Sequence, residues 1–446
     1  MSIKRLLPLL FAIGLLQAQN PTLQQYLTTR QASIPQVYAS IAGSQIKLPV
    51  FGAQLQALFE VYCGEPSPYT LGCTTFSVQQ AENQVDMLVS MGAAVLEVNI
   101  SPWIYADDQT ASITARAYID TVLTYLSSKY PSVKLTINPG FLAENLALAK
   151  DNNGNWTCGS KAGTTMGGNV MTAPYDGTTG DISTCMTTTR SWLSISATNY
   201  GVYGYLAKKY TPYRFTVMHE MSSNDSNYGW TPTSVGTPAS WASFVGNMMT
   251  IVYSLSPASK LGIAMDRFEA SYQATLILAT CAPNPCALQY VGQDVYTDDV
   301  WNTTNGLGAQ ATMIAGAQSA GLETMFSEMW SESWSPATQT AGDGNAYEGA
   351  GNCDWRLYDV DRQELTALSM WAAGNGITEI QLFDASTVGA VCVYNGTLSS
   401  GVDRIANQTY ATAVANGSLQ RTPLFYFLQS LIKWFPVIQG GAPLPI

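Results

Sequence analysis

The residues best suited to chemistry in this chain are two glutamates, each closing an apolar run. One run reads Thr216-Val217-Met218-His219-Glu220-Met221 and the other Met325-Phe326-Ser327-Glu328-Met329-Trp330. Short apolar runs predict buried strands, and a carboxylate at the end of such a run stands where the strand leaves the core. Two carboxyls facing each other across a cleft can divide the work of breaking a glycosidic bond. One protonates the departing oxygen while the other attacks the anomeric carbon or activates water. That chemistry needs no cofactor, and none is expected.

His219 is the single histidine of the chain. His-rich zinc sites are thereby excluded and no metal is assigned; a Ser-His-Asp or Cys-His device has one place where it could be built. Gly-x-Ser-x-Gly is absent, which argues against a serine hydrolase. Three readings of His219 stay open: orienting Glu220 or a sugar hydroxyl, a purely structural hydrogen bond, or proton transfer.

Glu332, in Trp330-Ser331-Glu332-Ser333-Trp334, competes with Glu328. Glu328 is preferred because it ends the apolar run directly and shares strand parity with Thr324 and Phe326. Glu97 lies within Val95-Leu96-Glu97-Val98-Asn99, on the same face as Asn99. A carboxylate facing a barrel interior needs a partner, so Glu97 is either a satisfied structural acid or a substrate contact. Asn138 and Asp266, at the ends of two further runs, carry the same two readings.

Trp103, Tyr105, Trp230, Trp301, Trp330 and Trp334 follow predicted strands. Their rings offer a rigid apolar face on which a pyranose can lie while its polar edge stays wet, or they pack within loops. Methionines 218, 221, 325 and 329 are read as packing.

These residues need elements to position them. Apolar runs at 49–53, 93–100, 133–138, 214–220, 261–266, 289–296, 324–330 and 379–383 read as strands. Amphipathic stretches at 77–91, 113–129, 187–208, 240–255, 268–280, 307–320, 361–374 and 423–435 read as the helices between and after them. Alternation of this kind predicts an α/β fold, a (β/α)₈ TIM barrel with long disulfide-stapled loops, whose site lies at the C-terminal ends of the strands. A doubly wound sheet would want a Gly-rich phosphate turn after its first strand, but Gly52-Ala53-Gln54-Leu55 offers none. Residues 20–48 read as a helical lead-in at the bottom of the barrel. The Gly/Thr/Ser-rich stretches 151–185 and 335–353 read as top-face loops, so residues 20–446 form one domain.

Twenty basic against 31 acidic residues give a net charge of −11, and only 11% of residues are charged. So few cations leave no footprint for nucleic acid or an anionic membrane. Residues 1–19 carry Lys4 and Arg5 before an apolar stretch from Leu6 to Leu16. That is the pattern of a secretory signal peptide, too short to span a bilayer. The mature chain is therefore expected outside the cell or in a periplasm, as a monomer whose partner is carbohydrate. Eight cysteines (63, 73, 158, 185, 281, 286, 353 and 392) fit an oxidising compartment. Pairing of neighbours along the chain is the simplest connectivity. The Asn-x-Ser/Thr sequons are what so Ser/Thr-rich a chain produces by chance, and no glycan is assigned to them.

A barrel with glutamates ending its fourth and seventh strands resembles clan A of the glycoside hydrolases. The resemblance implies a retaining enzyme, with Glu220 as acid/base and Glu328 as nucleophile. It also implies that Tyr296, in Gly292-Gln293-Asp294-Val295-Tyr296, hydrogen-bonds the nucleophile. The His-Glu-Met run followed by Trp230 is similar to the acid/base segment of family 26 β-mannanases. Those carry Asn-Gly and a Trp soon after the Met, whereas this chain has Ser222-Ser223-Asn224-Asp225. Two non-catalytic readings remain: a carbohydrate-binding barrel and an extracellular adhesion protein.

Overall fold

The computed structural model describes residues 21–58, 77–100, 110–138, 149–150, 156–157, 165–166, 169–170, 202–219, 249–250, 252–265, 288–296, 307–330, 333–335, 340–342, 355–383, 388–392, 398–403 and 423–434. Its centre is a closed barrel of eight strands. These are β1 (Val50–Gln54), β2 (Val95–Asn99), β3 (Lys134–Asn138), β4 (Arg214–His219), β5 (Lys260–Met265), β6 (Tyr290–Tyr296), β7 (Glu323–Trp330) and β8 (Glu379–Leu382). Each strand pairs in parallel with its sequence neighbours, and β8 returns to β1 through Val50 opposite Glu379 and Ala53 opposite Leu382. Closure removes the two sheet edges that an open parallel sheet would leave unpaired. All eight strands fall within or beside the apolar runs of the sequence.

The described helices are α1 (Pro21–Ser40), α2 (Val78–Met91), α3 (Thr110–Lys129), α4 (Val202–Tyr210), α5 (Leu307–Ser319), α6 (Trp355–Gly374) and α7 (Pro423–Trp434). The expected helix over 268–280, and the parts of two others at 187–201 and 240–248, lie outside the described residues. Helix α2 shows how local sequence sets a boundary. Ser77 accepts a hydrogen bond from the Gln80 amide while the Gln80 side chain accepts from the Ser77 amide, and Gly92 ends the helix at φ 117°. The reciprocal pair satisfies two orphan N–H groups, and the left-handed turn suits a residue without Cβ. The lead-in helix α1 packs against α6, with Ile41 seated where a Cβ on Gly374 would be.

Strand side chains alternate between two environments. Those pointing out, among them Leu96, Val98, Ile137, Phe215, Leu261, Ile263, Val291, Phe326 and Ile380, are buried with helix residues such as Val85, Leu88, Ile119, Leu368, Trp371 and Phe425. Phe326 stacks on Trp371 of α6 with centroids 6.0 Å apart. This shell between strands and helices is the hydrophobic core.

The inward positions carry buried polar side chains among small residues. At the N-terminal end Arg214 Nη2 lies 2.9 Å from Glu323 and its Nε 3.4 Å from Glu379, with the guanidinium 4.8 Å from the Tyr290 ring centroid. Tyr290 shares a 2.8 Å hydrogen bond with Thr216, and its ring occupies the space a Cβ on Gly262 would need. A charged, aromatic layer thus floors the barrel beneath the site.

The disulfide staples rest on Cys63, Cys73, Cys158, Cys185, Cys281, Cys286 and Cys353, all outside the described residues; Cys392 ends the strand Val388–Cys392 of a short hairpin. No helix among the described residues is long and apolar enough to cross a membrane.

Candidate active site

Above the floor, the C-terminal halves of the strands converge on one buried polar cluster. Glu328 of β7 is 1% exposed, and its Oε1 accepts a 3.2 Å hydrogen bond from Gln54 Nε2 of β1. His219, the last residue of β4, is fully buried. Its Nε2 lies 3.6 Å from Glu328 Oε1 and 3.6 Å from Oδ2 of Asp294 on β6. Ser327 donates a 2.7 Å hydrogen bond to the other oxygen of Asp294. Beside them, Glu97 of β2 accepts a 3.1 Å hydrogen bond from Asn138 Nδ2 of β3.

Two irregularities aim this cluster inward. In β7 the register passes from Phe326 to Glu328 against consecutive residues of β6, leaving Ser327 as an extra residue. In β4 it passes from Thr216 to Met218 against β5. Bulges of this kind re-aim the side chains that follow them. They also correct the parity argument for Glu328. Thr324 accepts a hydrogen bond from Gln318 of α5 and Phe326 stacks on α6, so that parity faces the helices. Glu328 reaches the interior because the bulge at Ser327 breaks the alternation. Gly292 makes room for it: a Cβ there would lie 2.8 Å from Ser327 Oγ.

The electrostatics follow from burial with few cations. Burial pushes the Glu97 carboxyl up to about 7, against the pull of His219 and Asn138. Burial alone would strip His219 of its proton. Asp294, Glu328 and Glu97 outweigh that and bring its pKa to about 9, so it is an imidazolium at neutral pH. Side-chain nitrogen and oxygen atoms of His219, Asp294 and Glu328 lie within 4.8 Å of one another.

Of the other residues singled out in the sequence, Glu220 follows His219 directly and lies outside the described residues, as do Trp103, Trp230, Trp301, Asp266 and Glu332. Tyr296 and Trp330 are register partners at the upper ends of β6 and β7, and Trp334 lies in the hairpin strand Ser333–Ser335. The side chains of these three are outside the described residues, and with them the bond expected from Tyr296. The partners Glu328 does show are Gln54 and His219.

Gln54 and Asp294 were missed as site residues. Gln54 stands one residue past the predicted end of the first strand. Asp294 sits inside an apolar run, two residues before Tyr296, and a lone acid in such a run was the available signal.

No family model matches the chain, and no curated protein matches it in sequence. Solved structures that resemble it include a GH10 endoxylanase retrieved from a sugarcane soil metagenome, 9% identical over 86% of this chain and 96% of that one, with a TM-score of 0.49. A GH10 protein from Paenibacillus barcinonensis is 9% identical over 92% and 98%, with a TM-score of 0.49. An exo-β-1,4-mannosidase from an Opitutaceae bacterium is 12% identical over 90% of this chain and 62% of its own, with a TM-score of 0.45. These likenesses concern the course of the chain. The barrel assignment stands on the closed strand order itself.

Proposed function

We propose that this chain is a secreted retaining glycoside hydrolase that cleaves β-linked poly- or oligosaccharides. The observation that carries the reading is the placement of Glu328. It is a buried carboxylate at the C-terminal half of β7, turned into the barrel by a bulge, with an amide donor and an imidazolium on the same oxygen. Both neighbours favour the ionised form, which a nucleophile needs.

Glu220 is the acid/base in this account. It directly follows His219, whose ring reaches Glu328, and its role as the second carboxyl rests on the resemblance to clan A. Glu328 attacks the anomeric carbon as Glu220 protonates the leaving oxygen, giving a glycosyl-enzyme; Glu220 then takes a proton from the water that releases the sugar. The reading of residues 1–19 as an export signal and of 20–446 as one catalytic domain belongs to the same proposal, as does a sugar-stacking role for the tryptophans at the strand ends.

Hydrolysis of a glycan panel tests it. Glu328→Gln and Glu220→Gln should each lower kcat by about 10²–10⁴ while leaving the fold intact. NMR of the nascent product should show the anomeric configuration kept. Inversion, or wild-type turnover by Glu328→Gln, contradicts the assignment, and glycan binding without hydrolysis would mark a non-catalytic barrel.

A further inference from the structure

Glu328 and His219 were singled out by sequence, but the cluster holds a third charged side chain that the proposed reaction does not use. Asp294 is 1% exposed, and an acid is rarely buried so deeply without a task. Its two oxygens are committed in different directions. Oδ1 takes the 2.7 Å hydrogen bond from Ser327, the bulge residue, and Oδ2 faces His219 Nε2 at 3.6 Å. The same nitrogen faces Glu328 Oε1 at 3.6 Å. On the intervening strand β5 the partner of His219 is the small Ala264.

We propose that Asp294 is a positioning residue: held by Ser327 through one oxygen and facing His219 Nε2 with the other, it fixes the His219 ring against Glu328 Oε1 and so aims Glu328 at the mouth of the barrel. The inference rests on the assignment of Glu328 as nucleophile. In the second half of the reaction Glu328 departs from the sugar as a carboxylate, and a cation beside its Oε1 stabilises the charge that returns to it. Asp294 touches no reacting atom in this account and acts through His219.

The groups facing His219 can be named strand by strand. Asp294 comes from β6, Glu328 from β7 and Glu97 from β2, and all three favour its proton. Gln54 of β1 binds Glu328, and Asn138 of β3 binds Glu97. The cations Arg214 and Lys260 lie in the floor, where they pair with Glu323, and Arg214 also with Glu379. Among the described residues, His219 is thus the cation on the level of Glu328. Burial opposes its charge, and Asp294 is the largest of the influences that outweigh burial, which together bring it to about 9. The sign is fixed: removing Asp294 lowers the pH at which His219 loses its proton.

One histidine in 446 residues makes the test direct, because the full chain gives one set of imidazole ring signals by NMR. In the wild type it should titrate near pH 9. In Asp294→Asn the midpoint should fall by at least about one unit. The alkaline limb of kcat/KM should move down with it, so that activity at pH 8 drops about twofold for a one-unit fall and about tenfold for a two-unit fall, while activity at pH 5 changes little. Asp294→Glu should restore most of both shifts. Ser327→Ala, which frees Asp294 without removing its charge, should give a smaller shift of the same sign and serves if Asp294→Asn fails to fold.

An unmoved imidazole midpoint overturns the role of Asp294. A lowered midpoint with an unchanged pH profile overturns the need for the imidazolium. Neither depends on the nucleophile assignment, which fails separately if Glu328→Gln keeps its activity.

Discussion

Burial sets the state of a carboxyl inside the upper barrel against the pull of its neighbours, and Glu97 shows this most simply. Its carboxyl is buried, accepts from the Asn138 amide and titrates near 7 rather than 4.5. A carboxyl whose pKa is raised on folding adds stability below its unfolded pKa and loses it as pH climbs through the folded value. Glu97 should therefore contribute about 3 kcal/mol that disappears between pH 4.5 and 7. His219, raised from 6.5 to about 9, has the same sign in the next window up. Denaturant titrations across pH should show wild-type stability falling from pH 4.5 to 7, and Glu97→Gln should flatten that fall. Equal slopes would mean that Glu97 is already ionised in the fold.

At the scale of elements, the eight strands were legible because burial on the outer face forces apolar side chains into runs that a sequence displays plainly. The inner face was much less legible. Polar residues such as Gln54, Glu97, Thr136 and Gln381 alternate with apolar ones, and which of them meet depends on register across the barrel, a non-local property. The bulges at Val217 and Ser327 are invisible in the residue pattern, yet they decide which way His219 and Glu328 point. Glu328 was chosen partly on a parity that faces the helices; it is the bulge that turns it into the barrel. A paired substitution isolates the bulge. Gly292→Ala presses on Ser327, while Gly262→Ala presses on the Tyr290 ring in the floor. Overpacking of this kind costs about 1–3 kcal/mol, so both should lower Tm. Only Gly292→Ala should also lower kcat by about tenfold or more, because its clash abuts Glu328.

Taken as a whole, the molecule assigns its scarce charges to layers. Eleven per cent of its residues are charged, yet the barrel interior holds Arg214, Glu379, Glu97, His219, Asp294 and Glu328, each 1% exposed or less. Arg214 and Glu379 brace the floor, and the other four form the site. The composition excludes nucleic acid and His-rich zinc sites and leaves one histidine for a triad; inside the barrel the same scarcity makes each buried charge conspicuous. A bulky aliphatic filling would have supplied packing at lower desolvation cost. The chain keeps a network of ionisable side chains at its centre instead.

The central claim is that Glu328 forms a covalent bond to the sugar. It is tested most directly by incubating the protein with an activated 2-deoxy-2-fluoro glycoside, which slows release of the intermediate, and sequencing the labelled peptide by mass spectrometry. The account predicts one sugar per chain, attached to Glu328, and no label in Glu328→Gln. A sugar carried on Asp294, Glu97 or Glu332, or hydrolysis of the same glycoside by Glu328→Gln at the wild-type rate, would contradict it.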